Sequence, residues 1–205
     1  MDKFLALNKN KQDIIINAAF ECFGKFGYDK TSVNDIAVAA GISKASVFQY
    51  FGTKKQLYSY LLDYAGNIIM ETFRNCGFGA ETDLFDRVLA SSFMEVKTLE
   101  RNPYISQFIL SAWSETAEEI TDIIVNFKST TSSFRNDIIF RKGDASKFKN
   151  PNDAETVFQI LMLMAEGYVS RCRNEHSTDF NVLADEFRKM VAAMRRNFYK
   201  EEYLL

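Results

Sequence analysis

Histidine is all but missing from this chain, and cysteine and proline are scarce. His176 is the sole histidine, so a histidine-based nucleophilic triad or a multi-histidine metal site lacks its parts. Cys22, Cys76 and Cys172 stand far apart and are odd in number, which supports neither a disulfide framework nor a zinc ligand set. They read as buried thiols in a reducing cytoplasm, with a redox-sensing role as the alternative. Nine glycines and two prolines in 205 residues, with few alternating stretches, leave little material for strands and tight turns and point to an all-α protein. No apolar run approaches the roughly 18 residues of a membrane span, the longest comparable stretch being ILMLMA at 160–165. The apolar part of MDKFLALNKNK is too short for a secretion signal. No G-x-S-x-G, phosphate-binding loop or dinucleotide fingerprint occurs, and the adjacent acids Glu118 and Glu119 read as a solvated pair on a helix surface. No catalytic residue, metal or cofactor is expected.

What the chain does contain is a local pattern between residues 31 and 54, TSVNDIAVAAGISKASVFQYFGTK. Thr31 and Ser32 are helix-capping types standing before Val33, Ile36, Ala37 and Ala40, whose spacing makes one apolar helical face. Gly41 supplies the left-handed position that ends this short helix. Ser43 caps a second helix in which Val47 and Phe51, at i and i+4, share the buried side. Lys44, Ala45, Ser46 and Gln49 then point outward with no large apolar side chain among them. A short polar helix held against another is what the major groove of DNA accepts; an ordinary helical corner with a solvated face has the same outline. Charge leans the same way. In residues 1–60 eight lysines against five acids leave +3, and the chain total of −2 then leaves −5 for residues 61–205. The positive end carries the corner, and a modest local excess favours phosphates.

The pieces AAFECFGKFGYDKTS, NDIAVAAGISKASV and QYFGTKKQLY keep a fixed order, with Phe23 and Gly27 closing a first helix before the Thr-Ser start. This stretch, Ile14 to Leu57, resembles the DNA-binding domain of the tetracycline-repressor (TetR) family of bacterial regulators. The resemblance implies an N-terminal three-helix helix-turn-helix domain, residues 1–54, and a C-terminal helical effector-binding and dimerisation domain, residues 55–205, about nine helices in all. It implies base contacts from Lys44, Ser46 and Gln49, with Asn34 as a further candidate and Ala45 allowing close approach or meeting a thymine methyl. Lysine suits guanine O6/N7, and glutamine can pair bidentately with adenine. It implies phosphate clamps at Thr31, Ser43, Tyr50 and Lys54. At position 48 the family usually carries Tyr, whose hydroxyl bonds a phosphate, whereas this chain has Phe48; that clamp is lost or passes to Tyr50.

Helical periodicity carries the rest. The first helix is expected from about Lys11 to Phe26, with Ile14, Ile15, Ala18, Ala19, Cys22 and Phe23 inward and Lys9 and Lys11 just before it, either reaching backbone phosphates or lying in a solvated tail. A long helix from the Thr53 cap to about Asn75 is the covalent bridge between the two domains. Further helices are expected at about Thr82–Leu99, from Pro103 to Trp113, and at about Glu115–Phe140. By family resemblance these enclose an effector pocket lined by Phe85, Leu89, Phe93, Tyr104, Gln107, Phe108, Trp113, Ile124 and Phe127, with Asn126 as a further polar anchor; core packing accounts for the same residues. Lacking clustered charge, the pocket suits a small, largely apolar effector.

RKGDASKFKNPND at 141–153 reads as a linker. The helix from Asp153 to Arg173 is apolar nearly all round, so its second face wants a partner. The final helix places Phe180, Leu183, Phe187, Met190, Val191, Met194 and Phe198 on one stripe. Together the pair predicts a four-helix homodimer interface including Leu161, Met164, Gly167, Tyr168, Phe187, Met190, Val191 and Met194. The expected function is a cytoplasmic, homodimeric repressor on a palindromic double-stranded operator, released by a small molecule. The alternative is a DNA-bound dimer that recruits a protein partner without any effector.

Overall fold

The computed structural model describes residues 1–75, 77–79, 82–174 and 180–204, and for 165, 166, 168–174 and 180 the backbone alone. The helices are α1 (Asp2–Leu5), α2 (Lys9–Lys30), α3 (Val33–Ala39), α4 (Lys44–Phe51), α5 (Lys54–Asn75), α6 (Leu84–Arg101), α7 (Pro103–Trp113), α8 (Thr121–Ile139), α9 (Asp153–Asn174) and α10 (Phe180–Phe198). Among the described residues there is no strand, only an isolated antiparallel bridge between Phe148 and Tyr199. No helix among them is long and apolar enough to cross a membrane. The all-α expectation holds. Cys76 and His176, and the side chains of Tyr168, Cys172 and Phe180, lie outside the described residues.

Packing divides the chain into two compact units, and the division does not fall at residue 54. The first comprises Met1–Ile68 with Leu99–Thr131, the second Ile69–Thr98 with Ser132–Leu205. The reason lies in α7, which packs on α2 closely enough that a Cβ on Gly24 would stand 3.0 Å from the Phe108 nitrogen. Phe108 of α7 is fully buried, 5.1 Å from the rings of both Phe20 and Tyr58. Phe23 and Tyr28 close the same cluster against Tyr58 at 5.0 and 5.2 Å. Offset and edge-on ring contacts of this kind add to the stabilisation from burial alone. The helical corner therefore shares one core with α7.

Local signals set the helix ends. The Asn8 side chain accepts the Lys11 N–H at 2.9 Å, so α2 starts at Lys9 and the two lysines expected just before the helix lie inside it. Its buried face includes Ile16 and Phe20, whereas Ile14, expected inward, is 48% exposed. Gly27, at φ 75°, interrupts the helical backbone as expected, and a further turn runs on to Lys30. In α8 the expected start at Glu115 moves to Thr121, because the Glu115 carboxylate is engaged elsewhere. It accepts the N–H of Tyr28 at 2.7 Å and those of Thr116 and Ala117 at 3.0 and 3.1 Å.

In the second unit Phe73, Leu84, Phe85, Val88, Val157, Phe158, Leu161, Phe187, Val191 and Tyr199 form the core. The stretch 141–153 is not an open linker. Asp144 is buried and paired with the fully buried Arg87, and it also accepts the Arg141 N–H at 2.9 Å. Arg87 donates further to the carbonyls of Ile139, at 2.7 Å, and Thr82. Phe148 is buried between Phe85 and Tyr199, with ring centroids at 5.9 and 5.0 Å. Polar composition concealed one buried ion pair and one core ring.

A candidate nucleic-acid interface on the helical corner

The corner is built from its caps. Ser32 and Asp35 form a reciprocal box at the start of α3: the Ser32 hydroxyl accepts the Asp35 N–H at 3.2 Å, and the carboxylate accepts the Ser32 N–H at 3.0 Å and its hydroxyl at 2.7 Å. Two orphan donors are thereby satisfied, and those hydrogen bonds hold the Asp35 carboxyl below its ordinary range. Gly41, at φ 65°, makes the turn, in a conformation few side-chain-bearing residues adopt. The Ile42 N–H reaches back to the Ala37 carbonyl at 3.0 Å. Ser43 then caps α4 by accepting the Ser46 N–H at 3.0 Å.

On α4, Val47 and Phe51 are buried at 2% and 4% exposure, as their spacing predicted. Lys44, Ala45 and Gln49 are exposed, as is Asn34 on α3. Ser46 is half-buried, and its hydroxyl sits 2.8 Å from that of Ser43, so these two candidates are hydrogen-bonded to each other. Phe48 is 43% exposed, with the Lys44 ammonium 5.9 Å from its ring; it has no hydroxyl to offer. Tyr50 is half-buried.

Two expected phosphate clamps look different in place. Thr31 is 1% exposed, and its hydroxyl lies 2.7 Å from the Gly27 carbonyl and 3.0 Å from that of Cys22. It closes the chain reversal after α2 and is withdrawn from the interface. Lys54 is half-buried. Its ammonium donates to the carbonyls of Tyr28 at 3.0 Å and Thr31 at 3.3 Å and lies 4.1 Å from the Tyr28 ring centroid. An ammonium has three donors, so one remains for an outside acceptor. Burial, then Glu119, pushes the Tyr28 phenol upward, so it stays neutral beside this cation.

The residues expected around an effector fall in both units. In the first, Tyr104, Gln107 and Asn126 are exposed, Trp113 is half-buried, and Ile124 and Phe127 are buried; Phe108 is a core ring. In the second, Phe85 is a core ring, Leu89 packs on that core, and Phe93 is 40% exposed with the Lys97 ammonium 4.3 Å from its ring. Phe85 and Phe108 are therefore occupied in core packing. Sequence reading missed Phe4, Tyr28 and Glu115, which support the corner from outside its own pattern.

An all-helical chain whose N-terminal unit presents a capped two-helix corner of this geometry belongs among helix-turn-helix proteins. Residues 15–61 match the family described as bacterial regulatory proteins, tetR family. The chain is 41% identical over 63 residues to the biofilm operon icaADBC HTH-type negative transcriptional regulator IcaR of Staphylococcus aureus, covering 29% of this chain and 34% of IcaR. It is 33% identical over 75 residues to the HTH-type transcriptional regulator Mb3439c of Mycobacterium bovis, covering 37% and 38%. The matched stretches thus span little more than a third of these relatives' length. In fold, the chain is similar to a TetR family transcriptional regulator from Chloroflexus aurantiacus, with a TM-score of 0.76 at 18% identity over 98% of this chain and 99% of that one. By residues 15–61 the chain matches the tetR family, and over nearly its whole length it shares the fold of a TetR family regulator.

Proposed function

We propose that the protein is a homodimeric, cytoplasmic, DNA-binding repressor of transcription, and the exposed edge of α4 carries that reading. Lys44, Ala45 and Gln49 stand clear of a helix whose other side is fixed by Val47 and Phe51. Lys44 reads guanine, Gln49 reads adenine, and Ala45 meets a thymine methyl. Asn34 and Ser46 are further base contacts. The N-terminus of α4 at Ser43, the Tyr50 hydroxyl and the third donor of Lys54 position the phosphates. The similarity to IcaR, described as a negative regulator, supports repression.

Dimerisation is supported by apolar residues left in solvent on the last two helices. On α9, Ile160 and Leu163 are 40% and 67% exposed, and on α10, Val182 and Met190 are 54% and 43% exposed. Gly167 is exposed and has nothing within 4 Å of an added Cβ, so a neighbouring backbone can approach. Met164 and Met194 are half-buried and flank this face. Leu161, Phe187 and Val191 belong to the unit's own core and leave the proposed interface; Ile160, Leu163 and Val182 replace them. Two copies of α4 about 34 Å apart then read successive major grooves of a palindrome.

Release by a small, largely apolar effector completes the proposal. Trp113, Ile124 and Phe127 in the first unit supply apolar surface, and Tyr104 and Gln107 supply polar contacts. The test is selection of duplexes from a random pool, followed by a small-molecule screen for release. A palindromic winner is expected, with adenine preference lost in Gln49→Ala. A pool that yields no enriched sequence, or a Gln49→Ala protein with unchanged preference, refutes the assignment.

A further inference from the structure

Phe4 stands outside the stretch that matches the family, residues 15–61, yet it is fully buried. It belongs to α1, a helix of four residues. An isolated helix of that length has no stability of its own, so something must hold it. Two anchors do. The Gln12 side-chain amide donates to the Leu5 and Leu7 carbonyls at 3.1 and 2.9 Å. The Phe4 ring packs 4.8 Å from Phe51, 5.8 Å from Tyr60 and 6.1 Å from Tyr50. Tyr50 and Phe51 are the last two residues of α4, and Tyr60 is on α5.

Helix α4, which the proposed function sets in the major groove, needs such a support. It has eight residues, and just beyond Phe51 the chain breaks at Gly52, φ 81°. Its buried contacts within the pattern are Val47 and Phe51 alone, one per turn. Two points fix an axis but resist rolling about it poorly, whereas a reading edge must be held to about 0.5 Å. Phe4 adds a third support at the C-terminal end and ties it to α5.

We propose that α1 is a brace on the recognition helix, and that Phe4 is a positioning residue for base readout. It touches no DNA and acts through Tyr50 and Phe51. The proposal deepens the DNA-binding reading and rests on it for its effect on sequence preference, although the brace itself is a property of the free protein.

The experiment has two arms on the full chain, comparing wild type with Phe4→Ala, Phe4→Leu and Gln12→Ala. Amide hydrogen exchange without DNA reads the brace. In Phe4→Ala the amides of residues 47–51 are expected to exchange about tenfold faster or more, while those of α7 stay unchanged. Phe4→Leu, which refills most of the space, restores most of the protection. The second arm measures affinity for the duplex that wild type enriches from a random pool, against a scrambled duplex of equal length. The enriched duplex is expected to lose about tenfold or more in Phe4→Ala, the scrambled one to stay within about twofold, and the salt slope to be unchanged because no phosphate contact is removed.

Unchanged protection of residues 47–51 when α1 itself loses protection overturns the brace. Equal loss on both duplexes, without rescue by Leu, overturns the positioning role. If Phe4→Ala does not fold, Gln12→Ala carries the same expectation at smaller amplitude, and its silence in both arms overturns the proposal. Failure of wild type to enrich any duplex refutes DNA reading, and the exchange arm still decides the brace.

Discussion

Lys54 is the residue where two explanations of one mutation separate most sharply. A phosphate clamp predicts that Lys54→Ala weakens binding to every sequence and makes the salt dependence shallower by about 0.9 for each phosphate no longer neutralised. The geometry adds a cost that needs no DNA. Two hydrogen bonds from the ammonium, to the Tyr28 and Thr31 carbonyls at 3.0 and 3.3 Å, disappear, as does a cation resting 4.1 Å from the Tyr28 ring centroid. Hydrogen bonds to a charged group contribute about 1.5–3 kcal/mol each, and a cation over a ring about 0.5–2 kcal/mol. Half-burial and the 3.3 Å length of one bond argue for the lower end, so a loss of about 2–4 kcal/mol is expected. For a chain of this size that is a fall of roughly 4–16 °C in Tm. Trp113, the only tryptophan, lies in the same compact unit, so its emission follows the relevant melt without DNA. Lys54→Met, which keeps most of the stem, recovers part of the packing and none of the hydrogen bonds. A Lys54→Ala protein that melts with wild type would refute the bracing argument and return the residue to a pure phosphate contact.

Three other perturbations probe the rest of the chain. Asp144→Ala leaves the Arg87 guanidinium buried and uncompensated, and urea titration should show a loss of about 3–5 kcal/mol; replacing both partners by apolar residues of similar volume should recover most of it. Leu163→Glu puts a charge on the proposed dimer face, so light scattering should report a monomer of unchanged helicity, whereas Leu161→Ala should destabilise the fold itself, being a core truncation. Asp35→Ala removes the α3 box and should lower Tm at pH 7. Because the folded carboxyl titrates below its unfolded value, its contribution is present above the unfolded pKa and fades as pH falls through the folded one. Melts taken from about pH 6 down to about pH 2 should therefore show wild type and variant converging at the acid end, and a gap constant across that range would contradict the assignment.

The corner was legible because its determinants are local. Ser32, Gly41, Ser43, Val47 and Phe51 each act within a few residues of themselves, through a cap, a left-handed turn or an i, i+4 face, and each appears where periodicity put it. Long-range partners were not legible in that way. Nothing near Asp144 in sequence reveals that Arg87 waits for it 57 positions away, and a polar stretch with Gly143 and Pro151 therefore read as linker. The family resemblance points Thr31 and Lys54 outward, while their polar atoms turn to carbonyls that only the folded chain reversal presents. In α9 an apolar surface all round calls for cover on every side; Leu161 is covered by its own chain and Leu163 is not. Phe4 could have been suspected, since FLAL precedes the Asn8 cap and a phenylalanine there has no role in a solvated tail.

The contacts around Tyr28 also constrain how the proposed effector can act. Its N–H donates to Glu115 in the connection between α7 and α8, and its carbonyl and ring receive Lys54 at the start of α5. A second tie, Lys55 to Asp122 at 3.1 Å, joins the start of α5 to the start of α8. The corner is thus fastened to the α7–α8 connection through a carboxylate that already accepts three N–H groups. Two of those donors belong to the connection itself, so the Tyr28 N–H is the one that ties it to the corner, and losing that bond would leave a donor without its acceptor. An effector bound along α7 or α8 would change DNA affinity only by as much as it distinguishes a state that binds DNA well from one that binds it badly. Ligand affinity alone therefore does not predict release, and a tight ligand indifferent to those states would leave the proposed repressor on DNA.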